Sequence, residues 1–145
     1  MTDSSTRRLV ERFYGEVWNK ADEAVAAEIL DPGLRFRSSL GLELTGLAEF
    51  LRYMRSIHAA LADYTCIIED LIATEHRAAA RLRFTGVHRG LFFGVAPTFQ
   101  EIAWVGAAFF TTDRVRITEL WVLGDVDAVK QQLGATPDSS LAEPG

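Results

Sequence analysis

The order in which helix-like and strand-like segments follow one another constrains the fold of this chain most. Apolar residues recur at spacings of three and four in the first half, which predicts helices at 6–19 and 47–61, with Asp22 capping a shorter helix between them. From Tyr64 to Gly124 the spacing changes to two and predicts consecutive strands, followed by a closing helix at 126–133. Helices that precede strands without alternating with them are typical of an α+β domain. We therefore predict a strongly curved antiparallel sheet with three helices packed across it.

The length and apolar content of the chain suit one domain. Its 145 residues, of which 48% are hydrophobic, are enough to fill a single core. We assign this domain to residues 1–134. The last residues, 135–145, are small and polar and include proline, which favours a disordered or loosely attached tail.

The charge balance and the apolar runs exclude two classes of partner. Lys and Arg total 15 against 20 Asp and Glu, a formal net charge of −5, so no basic face is expected for nucleic acid. No apolar run approaches the roughly 18 residues that cross a bilayer, so no membrane partner is expected and we predict a soluble, cytoplasmic protein. The single cysteine, Cys66, lies in a strand-like run and is expected to be buried and inert.

Neither the histidines nor the glycines form a metal or cofactor signature. His58, His76 and His88 lack the close spacing of zinc ligands, and no cysteine cluster accompanies them. The chain also has no glycine-rich phosphate loop and no GxSxG motif. We therefore expect no metal and no cofactor.

The final strand, "VRITELWVLGD", ends at Asp125, which is the first candidate acid or base. Read at a period of two, one face of this strand carries Ile117, Glu119, Trp121, Leu123 and Asp125. A carboxylate beside Trp121 would be partly desolvated, which would allow it to exchange protons near neutral pH. The alternative is that Asp125 only caps the helix that starts at Val126, by accepting a hydrogen bond from a backbone N–H.

Further polar residues lie within the apolar strands. In a curved sheet four of them could meet in one cavity, namely Arg83, His88, Glu119 and Asp125. The predicted walls are aromatic, namely Trp104, Trp121, Phe92 and Phe93. Each has a structural alternative: Arg81 and Arg83 would face water or pair with Glu119, His88 would be a hydrogen-bonded loop residue, and the two tryptophans would belong to the core.

Three runs of the sequence resemble one known family. They are "RLRFTGVHRGLFFGVAPT", "RITELWVLGD" and "VKQQLG", and together they resemble the SnoaL-like polyketide cyclases, also called ester cyclases. The resemblance extends over about Leu9 to Gly134 and is strongest from Arg81 onward. It implies a cone-shaped α+β half barrel of the nuclear-transport-factor and ketosteroid-isomerase type, with a deep pocket between sheet and helices.

The resemblance also implies an activity. Founding members close a ring by a cofactor-independent intramolecular aldol reaction, with one aspartate as general acid and base. That aspartate maps onto Asp125, and the family's threonine, glycine and histidine segment maps onto Thr85, Gly86 and His88. Asp125 would remove a proton next to a carbonyl, or move one in a related isomerisation, while His88 or Arg83 stabilises the enolate oxygen.

Departures from the family pattern keep a second function open. Pro97 and Thr98 are followed by Phe99 and Gln100, where many members have glycine and a basic residue, and the first strand lacks the histidine that members often carry. We expect the guest to be a small apolar or aromatic molecule. The alternative is a non-catalytic module that binds a small ligand or dimerises, because one fold serves many functions. In either case the apolar late strands favour a homodimer that pairs through its sheets.

Overall fold

Residues 4–134, which the computed structural model describes, form four α-helices, one π-helical segment and six strands. The helices are α1 (Ser4–Arg12), α2 (Glu23–Ile29), α3 (Leu47–Ala60) and α4 (Val126–Leu133), and the π-helical segment, Phe13–Trp18, continues α1. The strands are β1 (Leu30–Arg37), β2 (Glu43–Thr45), β3 (Leu61–Ala73), β4 (Arg77–His88), β5 (Glu101–Thr112) and β6 (Ile117–Gly124). The tail predicted at 135–145 lies outside the described residues.

The strands form one open, curved sheet in the order β2-β1-β6-β5-β4-β3. β3, β4, β5 and β6 follow one another as antiparallel neighbours, which confirms the long hairpins expected from the apolar period of two. Because β2 and β3 stay at the two edges, the sheet does not close. The fold is therefore the α+β half barrel predicted from the sequence.

One strand pair differs from the prediction of a purely antiparallel sheet. β1 runs parallel to β6, with Phe36 opposite Leu120 and Arg37 opposite Trp121. These two strands are separated in the sequence by α3 and three long strands, so no hairpin turn joins them. A pairing over such a distance leaves no local sequence signal, and the mixed sheet was therefore not predicted.

The two faces of the sheet have different surroundings. α1 and α3 pack on the inner face, where the core side chains of β4 are Ala78, Ala80, Leu82 and Phe84. The outer face carries six large apolar side chains that are exposed, namely Ile67, Ile72, Val105, Phe109, Trp121 and Leu123. The inner face therefore forms the core, and the outer face offers a surface for association.

Helix ends follow their predicted signals. The Asp22 carboxylate accepts a hydrogen bond from the Val25 N–H at 3.1 Å, which confirms the cap of α2. α4 occupies the predicted residues and is fixed to β5 because the Gln132 amide pairs with the backbone of Ala103. None of the helices in residues 4–134 is long and apolar enough to span a membrane.

Candidate functional site

A small cavity lies between the inner face of the sheet and the helices. Its lining is aromatic apart from Ser39 and Val122, and comprises Phe13, Tyr14, Trp18, Phe36, Ser39, Tyr53, Tyr64, Phe84 and Val122. The cavity volume that the centre of a water molecule can reach is about 20 Å³, so the cavity has room for about one water molecule. A larger guest can enter only when the lining side chains move apart.

The π-helical segment supplies three of the lining side chains, Phe13, Tyr14 and Trp18. The Asn19 N–H donates to the Tyr14 carbonyl at 3.0 Å, the wider spacing that defines a π turn. The Asn19 side chain then pairs with the backbone of Cys66 on β3, at 2.9 and 2.7 Å. Single π turns occur frequently at functional sites, so this irregularity marks the cavity wall.

The tyrosine hydroxyls give the cavity its polar character. Burial raises the pKa of the Tyr53 hydroxyl and the nearby Ser38 and Ser39 side chains offset part of that rise, whereas the Tyr14 hydroxyl is buried without a hydrogen-bond partner among the described residues. Burial raises the pKa of Tyr14, Tyr53 and Tyr64, so all three phenols keep their protons at neutral pH. The cavity can therefore donate hydrogen bonds, but none of its lining residues is a carboxylate or a cation.

A second buried donor lies next to this cavity. The Trp104 indole stacks on the lining residue Phe84, with ring centroids 5.2 Å apart, and its N–H has no hydrogen-bond partner among the described residues. Gly124 allows the chain at Ser39 to approach, because a Cβ at this position would lie only 2.7 Å from the Ser39 carbonyl oxygen. The structure thus confirms Trp104 as a core residue on the inner face.

Asp125 lies on the opposite side of the sheet from this cavity. It is exposed, and its carboxylate accepts a hydrogen bond from the Ala128 N–H at 3.1 Å as the N-cap of α4. It lies at one end of an open groove of about 600 Å³ on the outer face, lined by Glu69, Arg81, Val105, Gly106, Ala107, Leu123, Gly124 and Asp125. The capping geometry proposed as the structural alternative is therefore present.

His88 is fully buried at the end of β4, where it holds the loop that follows. Its Nδ1 lies 3.0 Å from the Thr98 hydroxyl and accepts a hydrogen bond from the Thr98 N–H at 3.2 Å. Its backbone N–H donates to the Gln100 carbonyl at 2.9 Å. Phe92 and Phe93 are buried in the same loop, with the Phe92 ring 6.4 Å from the imidazole. None of these three side chains lines the inner cavity.

The remaining predicted residues lie on the outer face. Arg83 is exposed, and Glu119 pairs with Arg35 at 3.2 Å instead of with an arginine of β4. Trp121 is 43% exposed and has the Arg37 guanidinium 4.9 Å from its ring centre. The structure therefore separates the four polar residues that were expected to meet in one cavity.

The alternation of side chains along the strands explains this separation. His88 follows the buried positions of β4, whereas Arg83 is one of the intervening positions that face outward. On β6 the expected shared face is interrupted, because the register shifts at Thr112 and Ile117 turns into the core while Glu119 stays outside. A strict period of two therefore holds along β4, where it puts Arg83 and His88 on opposite faces, and on β6 it fails only between Ile117 and Glu119.

The cavity-lining residues were not identified from the sequence as a site. Tyr14 and Trp18 belong to the apolar stripe of the first helix, where aromatic residues ordinarily indicate core. Only the hydroxyls of three tyrosines and Ser39 set the lining of the cavity apart from core. The described residues include no group of three or more His, Cys, Asp or Glu side chains that could hold a metal ion.

The half-barrel fold, with a cavity between its inner face and its helices, defines the class of protein. The sequence profile of the SnoaL-like polyketide cyclases matches residues 8–133, which is most of the chain. The chain therefore belongs to the SnoaL-like polyketide cyclase family. Comparison with curated proteins gave no match.

Solved structures show the same fold at low sequence identity. A protein of Jannaschia sp. CCS1, described as a SnoaL-like polyketide cyclase, superposes with a TM-score of 0.84 at 20% identity, over 94% of this chain and 96% of that one. TsrD from Streptomyces laurentii gives 0.81 at 21% identity, over 92% and 97%. AclR from Streptomyces galilaeus, described as a hydroxylase, gives 0.78 at 24% identity, over 93% and 88%. These similarities show the fold.

Proposed function

We propose that the protein binds a small, mainly apolar aromatic molecule in the inner cavity. The observation that carries this proposal is the lining itself, in which seven of the nine residues are aromatic, three of these are tyrosines, and no charged group is present. Binding sites for small molecules are mostly apolar with a few placed polar groups, and this composition matches. Family membership supports the same class of ligand.

Binding requires a change in the cavity wall. The closed cavity has room for about one water molecule, so an aromatic guest must displace side chains of the π-helical segment from the sheet. Trp18 is the side chain best placed to report this, because its ring makes edge contacts with Phe50 at 5.6 Å and Tyr64 at 5.3 Å.

The location of a probe molecule tests this proposal. Cumene is apolar and aromatic, and its contacts can be followed by nuclear Overhauser effects in protein with labelled valine methyls. Val122 faces the cavity from β6, and Val105 faces outward from the neighbouring strand β5. We expect effects from cumene to Val122 and none to Val105. Contacts to Val105 alone would place the binding site in the outer groove and contradict the proposal.

We further propose that the outer face pairs with a second copy of the chain. The six exposed apolar side chains of this face lie on β3, β5 and β6 of one sheet, and a surface that exposes several large apolar side chains is typical of an association site. Two ion pairs on this face are made within the chain, Arg81 with Glu69 at 3.2 Å and Arg35 with Glu119 at 3.2 Å. A twofold axis would bring identical patches together and cover both.

A second candidate function is the cyclase-type proton transfer with Asp125 as acid and base. The observation that favours it is the position of Asp125 in the outer groove, whose lining also includes Arg81. Pairing of two outer faces would close this groove and partly desolvate the carboxylate, which is the setting that acid and base catalysis needs. On this account Asp125 both caps α4 and exchanges protons with a guest in the dimer.

The Asp125→Asn variant separates these two roles. Asparagine caps helices as well as aspartate does, so the variant is expected to keep the wild-type urea midpoint. If Asp125 is the base, exchange of the α-protons of 2-tetralone in D₂O, followed by NMR, should fall about 100-fold or more relative to the wild type. Equal exchange by both proteins, or no exchange above the buffer rate by the wild type, would eliminate Asp125 as the base for this class of carbon acid.

A further inference from the structure

Three pairs of outer-face side chains follow one another along the ladder between β5 and β6. In order they are the groove pair Val105 and Asp125, the central pair Ala107 and Leu123, and the aromatic pair Phe109 and Trp121. The groove pair and the central pair line the open outer groove. The aromatic pair consists of two exposed rings with centroids 5.9 Å apart. The outer face therefore presents two large rings directly beside an open groove.

The two ends of this ladder carry opposite charges. The Arg37 guanidinium lies 4.9 Å from the Trp121 ring centre, and it donates hydrogen bonds to the carbonyls of Ser38 and Val122. Asp125 lies at the groove end, and neither it nor Arg37 forms an ion pair within residues 4–134. Trp121 and Asp125 are four residues, or about 13 Å, apart along β6. The cation and the anion therefore stay separate within one chain.

A twofold axis decides which pairs meet when two outer faces pack together. An axis between the faces that crosses the strands at the central pair reverses the order of the pairs in one copy relative to the other. The aromatic pair of each copy then covers the groove pair of the other, and each cation approaches the other copy's anion. An axis along the strands would set the aromatic pairs against each other, leave both grooves open and bring like charges together, which is unfavourable.

We infer that two copies pack about the axis that crosses the strands, so that the partner's Trp121 covers the outer groove and the partner's Arg37 faces Asp125. This inference rests on the proposed pairing of outer faces and specifies how the faces meet. It also makes the Asp125 groove a shared site, because one aromatic wall and one counter-charge come from the second copy.

Two variants that exchange a large side chain between the faces test this arrangement. Val105→Trp adds a ring where the partner's Trp121 would lie, and Trp121→Ala removes that ring. Both positions are exposed, at 45% and 43%, so both variants should fold. Each variant alone should dimerise at least about 30-fold more weakly than the wild type, the first by overpacking and the second by the loss of an aromatic contact.

An equimolar mixture of the two variants should restore association. In the mixed dimer the added ring of one chain faces the shortened side chain of the other, and the second contact is that of the wild type. Sedimentation with one variant fluorescently labelled should show a heterodimer within about tenfold of the wild-type affinity. A mixture that associates no better than the separate variants would overturn the inference, as would wild-type dimerisation by Val105→Trp alone.

A double-mutant cycle tests the contact between the charges. Asp125→Asn keeps the helix cap, and Arg37→Gln removes the cation. The double variant should lose at least about fivefold less affinity for its partner than the product of the two single losses. Arg35→Gln is the matched control, because Arg35 pairs with Glu119 within the chain, and its loss should combine with that of Asp125→Asn to within about twofold of the product. Losses that multiply for Arg37→Gln as well would overturn the inference.

The oligomeric state of the wild type separates the two proposals. If the wild type is a dimer but the mixed variants do not associate or the charges are not coupled, the inference fails and the pairing of outer faces stands. If the wild type is a monomer at micromolar concentrations, the pairing fails and the inference fails with it.

Discussion

Replacing Leu123 with glutamate is expected to convert a dimer of this protein into monomers. Leu123 is 51% exposed on β6, opposite Ala107 of β5, and lines the outer groove. In a twofold dimer the substitution would bury two carboxylates among apolar side chains, with no added cation to pair with them. A penalty of about 3 kcal/mol or more corresponds to dimerisation weakened by about 100-fold or more. Analytical ultracentrifugation across micromolar concentrations measures this change.

Leu91→Glu is the matched control. Leu91 is also an exposed leucine, at 45%, but it lies in the loop between β4 and β5 and not among the six apolar residues of the outer face. This variant should sediment as the wild type does. A monomeric wild type, or a Leu123→Glu variant that remains dimeric, would contradict the proposed pairing.

The sequence predicted the local elements of the fold well. The helix at 47–61 and the closing helix at 126–133 correspond to α3 and α4, because an amphipathic stripe and a capping aspartate are local signals. The hairpins from Tyr64 onward were also predicted correctly, since each strand pairs with the next one along the chain. The parallel pairing of β1 with β6 depends on contacts between distant segments, and so the sequence pattern did not reveal it.

The candidate site was harder to predict than the fold. Arg83, Glu119 and Trp121 were expected to face a cavity and lie on the outer face instead, because alternation along a strand shows which residues share a face but not which face covers the cavity. An aspartate at position 125 suits both a helix cap and a group that exchanges protons, so the sequence alone could not separate the two roles. Tyr14 lies in the apolar stripe of the first helix, which indicates a core residue. Only the structure reveals that its hydroxyl lacks a hydrogen-bond partner among the described residues.

The second large effect is expected at Val122, whose side chain reaches the inner cavity from β6. Phenylalanine at this position would occupy the space that a guest needs. The cavity is already small, so the guest would have to displace the new ring as well as the existing lining. A loss of about 2 kcal/mol in binding free energy corresponds to about 30-fold weaker binding. Circular dichroism and a graded variant, Val122→Leu, verify that a loss of binding is not a loss of folding.

The affinity of Val122→Phe for cumene is the most direct test of the claim that the inner cavity is the binding site. Val115→Phe makes the same substitution at a residue that is 68% exposed in the turn before β6, and it should bind cumene as the wild type does. The account predicts a dissociation constant at least about 30-fold higher for Val122→Phe and an intermediate value for Val122→Leu. Wild-type affinity in a folded Val122→Phe protein would show that the guest binds elsewhere and would contradict the account.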